Sequence, residues 1–165
     1  MTITNAVLPA SLRVSILHYC MEKKPHEACG FLLGRIDGAT LSVTRFLPVP
    51  NIAARPERQF SMDPAVLIPI VTNPSSLYDP VVGLLHSHPS ASSAPSVEDL
   101  QTAWRSMPSH WIVGLQDEEH CEIGVYCYHH FNHDPNRPGS ISGDASSFTA
   151  IALSVVEDHD INCHP

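Results

Sequence analysis

His86, Ser87 and His88 close an apolar run, VVGLLHSH (81–88), that reads as a buried strand. Side chains two apart on a strand face the same side, so both imidazoles can reach one ion without unusual backbone geometry. Imidazole suits zinc, whereas hard cations such as Mg²⁺ prefer oxygen ligands. Alone the signal is weak, because two surface histidines where a strand runs into a loop have the same spelling. After the Pro/Ser-rich stretch 89–95, Ser96-Val97-Glu98-Asp99 opens a predicted helix. Asp99 falls in its first turn, with its carboxylate facing back toward the strand end, and is a candidate third ligand. Three protein ligands with one position open is the pattern of a catalytic zinc site rather than a structural one. Ser96 and Asp99 read equally well as a helix cap with an acidic first turn. The two readings are compatible, since a cap would hold Asp99 rigid. Glu98, the competing carboxylate, is expected to point into solvent.

Metal-assisted hydrolysis also needs a base beside the attacking water. Glu27, in HEACGFLLGR (26–35), is the candidate. A carboxylate directly before an apolar strand sits at the core's edge, where its pKa can be raised toward neutrality. The plain alternative is an exposed glutamate at a strand start.

The elements that must position these residues follow from periodicity. Leu12, Ile16 and Tyr19/Cys20 recur at helical spacing over 9–24, with Pro25 just beyond. Residues 28–36 predict a buried strand. Asp37-Gly38 is a turn signal, and 41–49 is the returning strand of a hairpin. The polar stretch 51–62 predicts an exposed loop. Asp63-Pro64 predicts a cap with Pro at the first position of a short helix to about 72, weakened by Pro69. Residues 81–88 are expected as a central strand, and Ser96 as the cap of a helix running to about Met107. Residues 110–116 and 121–128 predict a second hairpin. Beyond 128 only AIALSVV (150–156) is apolar. Mixed elements without strict alternation favour an α+β fold, an antiparallel-rich sheet with helices packed on it.

The bulk composition bounds the function. A chain of 165 residues suits one domain with a real core. A net charge of −8 argues against a nucleic-acid surface, which needs a basic face. Cys20, Cys29, Cys121, Cys127 and Cys163 are scattered and odd in number, which fits reduced thiols better than a disulfide framework. No basic region precedes the first apolar stretch, and no apolar run approaches a membrane span. A cytoplasmic protein with no membrane partner is the expectation.

With Glu27-Ala28-Cys29-Gly30, His86-Ser87-His88-Pro89 and Pro95-Ser96-Val97-Glu98-Asp99 in this order, the chain resembles the JAMM/MPN+ (JAB-domain) metallopeptidases. Their pattern is a Glu, then H-x-H-P, then S-x-x-D after a short loop, and all five functional positions are filled. The spelling EACGFLLG resembles prokaryotic members. The resemblance covers roughly 8–128, dividing the chain into a metallopeptidase domain (1–130) and a C-terminal extension of unknown role (131–165). It implies an MPN-like mixed β-sheet with flanking helices, of the cytidine-deaminase-like class. It implies Zn²⁺ on His86, His88 and Asp99, Glu27 as general acid/base, and Ser96 as a donor to the tetrahedral oxyanion. It further implies hydrolysis of the bond after the C-terminal Gly of a ubiquitin-like or sulfur-carrier protein, whose thin tail can lie as a strand beside an enzyme edge. The segments 50–62 and 89–95 are expected to flank that groove. The alternatives are a scaffold of the same fold that only binds partners, and a small-molecule hydrolase releasing a Cys or similar residue from a carrier tail.

Other features have plainer readings. His129, His130 and His133 read as a polar loop rather than a second metal site, and Cys29 as a buried structural thiol rather than a nucleophile. Arg55, Glu57 and Arg58 read as a solvated loop that can meet a partner, and Trp104 and Trp111 as core residues.

Overall fold

A computed structural model describes residues 2–73, 79–129 and 148–158. Its elements run β1 (Asn5–Pro9), α1 (Ala10–Lys23), β2 (Cys29–Asp37), β3 (Thr40–Val49), α2 (Pro64–Thr72), β4 (Val81–His88), α3 (Val97–Leu100), β5 (His110–Gly114), β6 (Glu122–Tyr128), β7 (Phe148–Ala150) and β8 (Ala152–Val156). The strands form one mixed sheet in the order β7-β6-β5-β4-β2-β3-β1-β8. The α+β expectation of a mixed sheet with flanking helices is what is observed, and β4 lies centrally between β2 and β5.

Both hairpins form as their turn signals dictate. β2 and β3 pair antiparallel around Asp37-Gly38, and Gly38 takes the positive φ of 57° that the tight turn requires. β5 and β6 pair antiparallel around 115–121. α1 ends at Lys23, two residues before Pro25, and α2 starts on Pro64 with the Asp63 carboxylate accepting from Ala65 N–H. Pro69 is tolerated inside α2.

Three sequence readings need correction. The helix expected from Ser96 to about Met107 stops after Leu100. The Thr102 hydroxyl accepts the N–H of Trp104, a local side-chain bond that competes with helix propagation. The resulting turns bring Trp104 edge-on to Phe31, with ring centroids 5.7 Å apart. Trp104 is therefore only partly buried, whereas Trp111 lies fully in the core. The stretch 51–62 is not simply a solvent loop, since it ends in buried Met62 and packs Phe60 into the molecule. Residues 5–8, for which the sequence predicts no element, belong to β1, which pairs in parallel with both β3 and β8.

β7 and β8 are separated by Ile151 alone, yet occupy opposite ends of the strand order. A single linking residue holds the Cα atoms of Ala150 and Ala152 within about 7 Å of each other, so the sheet must curl until its ends meet. Ile151 N–H bonds Val125 O at 2.8 Å, and Ala152 N–H bonds Thr4 O at 3.0 Å, closing the seam. The segment read as an extension thus adds two strands to this sheet.

Two apolar clusters result. One joins α1 (Ile16, Cys20) to Leu32, Leu85, Trp111 and Val113. The other joins Cys29, Phe31, Val49 and Leu84 to Met62 and to Ile70 of α2. Burying a Leu- or Phe-sized side chain fully contributes about 1.5–3 kcal/mol. Because β4 alternates, Leu85 faces the first cluster while Leu84 faces the second, and His86 and His88 follow on the side of Leu84, with His88 lining a cavity.

Candidate active site

β4 carries His86 and His88 to its end, and the first turn of α3 brings Asp99 to meet them. His86 Nε2 lies 3.0 Å from Asp99 Oδ1, and His88 Nε2 lies 3.1 Å from Asp99 Oδ2. The two Nε2 atoms are 3.1 Å apart. All three residues are largely buried, and their ligand atoms lie within 4.8 Å of one another. The first-turn geometry is a reciprocal cap. Asp99 N–H donates to Ser96 Oγ at 3.1 Å, and Ser96 N–H donates to Asp99 Oδ2 at 2.7 Å. Ser96 thus holds the aspartate in place, as the cap reading required.

The donor set fits zinc. Two imidazole nitrogens bound tetrahedrally at about 2.0–2.1 Å would stand roughly 3.3–3.4 Å apart, close to the spacing observed. The His88 Nδ1 is 2.8 Å from Ser92 O. A carbonyl only accepts, so Nδ1 must donate, and in the neutral ring the Nε2 lone pair faces the cluster. Burial pulls the His86 pKa below the ordinary imidazole value. Burial acts in the same sense on His88, but the bonds to Asp99 and Ser92 and the charges of Asp99 and Glu27 outweigh it and hold that ring above its usual value. Burial would raise Asp99, yet the bonds from His86, His88 and the Ser96 N–H hold its carboxyl far below the usual range. Asp99 therefore remains an anion, as a metal ligand must.

Glu27 is buried at the entrance to β2, 6% exposed. Desolvation pushes its pKa to about 7; the charge of His88 opposes this, and those of Asp99 and Glu98 add to it. A carboxyl poised there can both take and return a proton near neutral pH. Glu27 lines two adjoining cavities. One, about 500 Å³, includes Asp99, Phe60, Met62 and Trp104. The other, about 570 Å³, includes His88, Ser96 and Pro89. Glu98 is exposed, as expected, but it lines both cavities, as does Arg58. Residues of 50–62 and of 89–95 wall this cleft.

Several contributors had no signal in the sequence. Ser87, the spacer between the histidines, is fully buried, and its Oγ accepts the Ala28 N–H at 2.8 Å while its own N–H bonds Ala28 O at 2.9 Å. Phe60 stacks on the His86 ring, centroids 4.8 Å apart and planes 27° off parallel. Ser92 fixes His88 as described. Cys29 is a buried thiol pushed up to about 12 by burial, consistent with a structural rather than nucleophilic residue. His129 contacts Thr149 at the sheet edge, and His130 and His133 lie outside the described residues. Among the described residues His86, His88 and Asp99 form the one group of this kind able to hold a metal.

Comparison with known proteins is consistent with this arrangement. Residues 9–124 match the family model described as prokaryotic homologs of the JAB domain. A desampylase of Haloferax volcanii is 37% identical over 107 residues, which cover 62% of this chain and 76% of that protein. The solution structure of a protein from Desulfitobacterium hafniense superposes with a TM-score of 0.71 at 25% identity, covering 96% of this chain and 99% of that one. With a family match that spans most of the molecule and contains the Glu27, His86, His88 and Asp99 cleft, the chain belongs to the prokaryotic JAB-domain family.

Proposed function

We propose that this protein is a zinc-dependent isopeptidase or peptidase that hydrolyses the bond after the C-terminal Gly of a ubiquitin-like or sulfur-carrier protein. The observation that carries the reading is the convergence of His86, His88 and Asp99 on one point in a cleft that also holds a buried Glu27 titrating near neutrality. The name of the Haloferax relative, desampylase, supports the reading, as does membership of the JAB-domain family.

His86, His88 and Asp99 would hold the zinc. When bound, zinc supplies a Lewis acid that polarises the scissile carbonyl and acidifies water. Glu27 takes the proton of the attacking water and returns it to the leaving amine. The Ser96 hydroxyl accepts from Asp99 N–H, so its own hydrogen remains available to donate to the oxyanion. The two cavities that Glu27 lines leave room for an extended tail and a leaving group. A scaffold that only bound partners would need neither the converged ligands nor the desolvated acid. The four described cysteines are free, which supports a cytoplasmic setting. Among the described residues no helix is long and apolar enough to cross a membrane.

The deciding experiment offers a ubiquitin-like protein carrying a short C-terminal extension, with and without a chelator. Cleavage after the terminal Gly that stops on chelation and returns with zinc is expected. Glu27→Gln should retain zinc and lose about 10²–10⁴-fold in turnover. Chelator-insensitive cleavage, or full activity of Glu27→Gln, would overturn the reading.

A further inference from the structure

The side-chain amide of Asn51 makes every hydrogen bond it can. Its Nδ2 donates to Glu27 O at 3.0 Å and to Gln59 O at 2.9 Å. Its Oδ1 accepts from Ala53 N–H at 3.0 Å and Ser61 N–H at 2.9 Å. An amide has two donors and two acceptor lone pairs, so nothing is left over. The backbone bridge of Asn51 with Met62 and the Ile52 N–H to Ser61 O bond at 2.8 Å close the loop 52–61 at its base. The far side of that loop returns to Glu27, whose N–H donates to Pro56 O at 2.7 Å. Both polar groups of the Glu27 main chain are therefore taken by this loop and by the residue that shapes it. The same loop carries Phe60 onto the His86 ring and Arg58 into both cavities.

We propose that Asn51 is a positioning residue that makes Glu27 and the loop 52–61 one mechanical unit, so that the acid/base and the wall of the cleft keep a fixed geometry together. The proposal rests on Glu27 being the acid/base of the reaction. Asn51 touches no reacting atom. It acts through the Glu27 carbonyl on one side and through Ala53, Gln59 and Ser61 on the other.

The near-isosteric Asn51→Asp separates the two halves of the role. It keeps the oxygen that accepts from Ala53 and Ser61 but replaces both donors with an oxygen facing the carbonyls of Glu27 and Gln59. Asn51→Ala removes all four bonds. Three readouts are taken on the full-length, zinc-loaded chain: zinc stoichiometry, kcat and KM on the ubiquitin-like fusion, and backbone hydrogen exchange of Glu27 and of 52–61. In Asn51→Asp, zinc is expected to stay, KM to change little, and kcat to fall ~10- to 100-fold, the scale of a displaced catalytic group. Exchange at the Glu27 amide should rise about tenfold while Ala53 and Ser61 stay protected. In Asn51→Ala, exchange should rise across the whole loop and KM should rise as well.

Wild-type kcat in both variants, or Glu27 exchange unchanged in both, overturns the proposal. So does a loss of cooperative folding in both, which would make Asn51 a folding residue only. If the wild-type chain does not cleave the fusion, the functional reading fails, and the coupled exchange of Glu27 with the loop still decides whether the mechanical unit exists.

Discussion

The Oγ of Ser87 accepts the amide hydrogen of Ala28 at 2.8 Å, across 59 residues of sequence. That bond ties the residue beside Glu27 to the residue between His86 and His88. Glu27, the proposed acid/base, and the two imidazoles are thereby referenced to one another through a buried hydroxyl rather than through loop packing alone.

Ser87→Ala should therefore do more than remove a hydroxyl. It leaves the Ala28 N–H buried without this acceptor, a loss of about 1–3 kcal/mol readable in denaturant unfolding. Turnover should fall while zinc stoichiometry stays whole, because the proposed ligands His86, His88 and Asp99 are untouched. A stability and a turnover both equal to wild type would mean that the bond positions nothing.

Gly114 lies beneath the loop that holds His88. A Cβ there would stand 2.5 Å from Ser93 N and 2.7 Å from Ser92 C. Gly114→Ala should lift the loop and break the Ser92 O bond that orients His88. Zinc affinity should drop about 10–100-fold, as for loss of an outer-shell partner, measured by competition with a chromophoric chelator. Unchanged affinity would count against Ser92 as the orienting group.

Asp99→Asn preserves the shape of the α3 cap and discards the charge. Zinc should raise the unfolding temperature of the wild-type chain, by the equivalent of about 2.7 kcal/mol at a hundredfold excess over Kd. The variant should show no such shift, and a chelator should erase it in the wild type. Equal zinc-dependent stabilisation of both proteins would remove Asp99 from the ligand set.

The thiols of Cys20 and Cys29 are each pushed up to about 12, above all by burial. Both stay protonated in the folded chain well above the pH at which an unfolded thiol ionises. They contribute stability below that ordinary thiol pKa, and the contribution is lost as pH rises from about 8.5 toward 12. Alkylation of the native chain at pH 8 should spare both and proceed only on unfolding, as peptide mapping would show. Rapid native labelling of either would contradict their burial.

Much of the molecule was legible before folding. The period of two in VVGLLHSH placed two imidazoles on one face, and the cap spelling of Ser96 and Asp99 turned a carboxylate toward them. The Asp37-Gly38 turn and the Asp63-Pro64 start marked true element boundaries. These are short-range features, in which neighbouring residues set backbone geometry and facing by themselves.

Tertiary structure alone decided the rest. Glu27 reaches the cleft because β2 pairs beside β4, with Cys29 opposite His86, and its raised pKa follows from the burial that this pairing imposes. Asn51, Phe60 and Ser87 acquire roles from partners distant in sequence, and their residue types carry no mark of it. α3 stopped short because the Trp104–Phe31 contact and the Thr102 bond lie outside any helical period. The closure of the sheet through Ile151 depends on strand order, which no local pattern encodes. Composition and spacing marked the candidate ligands; the order in which strands pair chose their company, because desolvation and long-range hydrogen bonds exist only once the chain has folded.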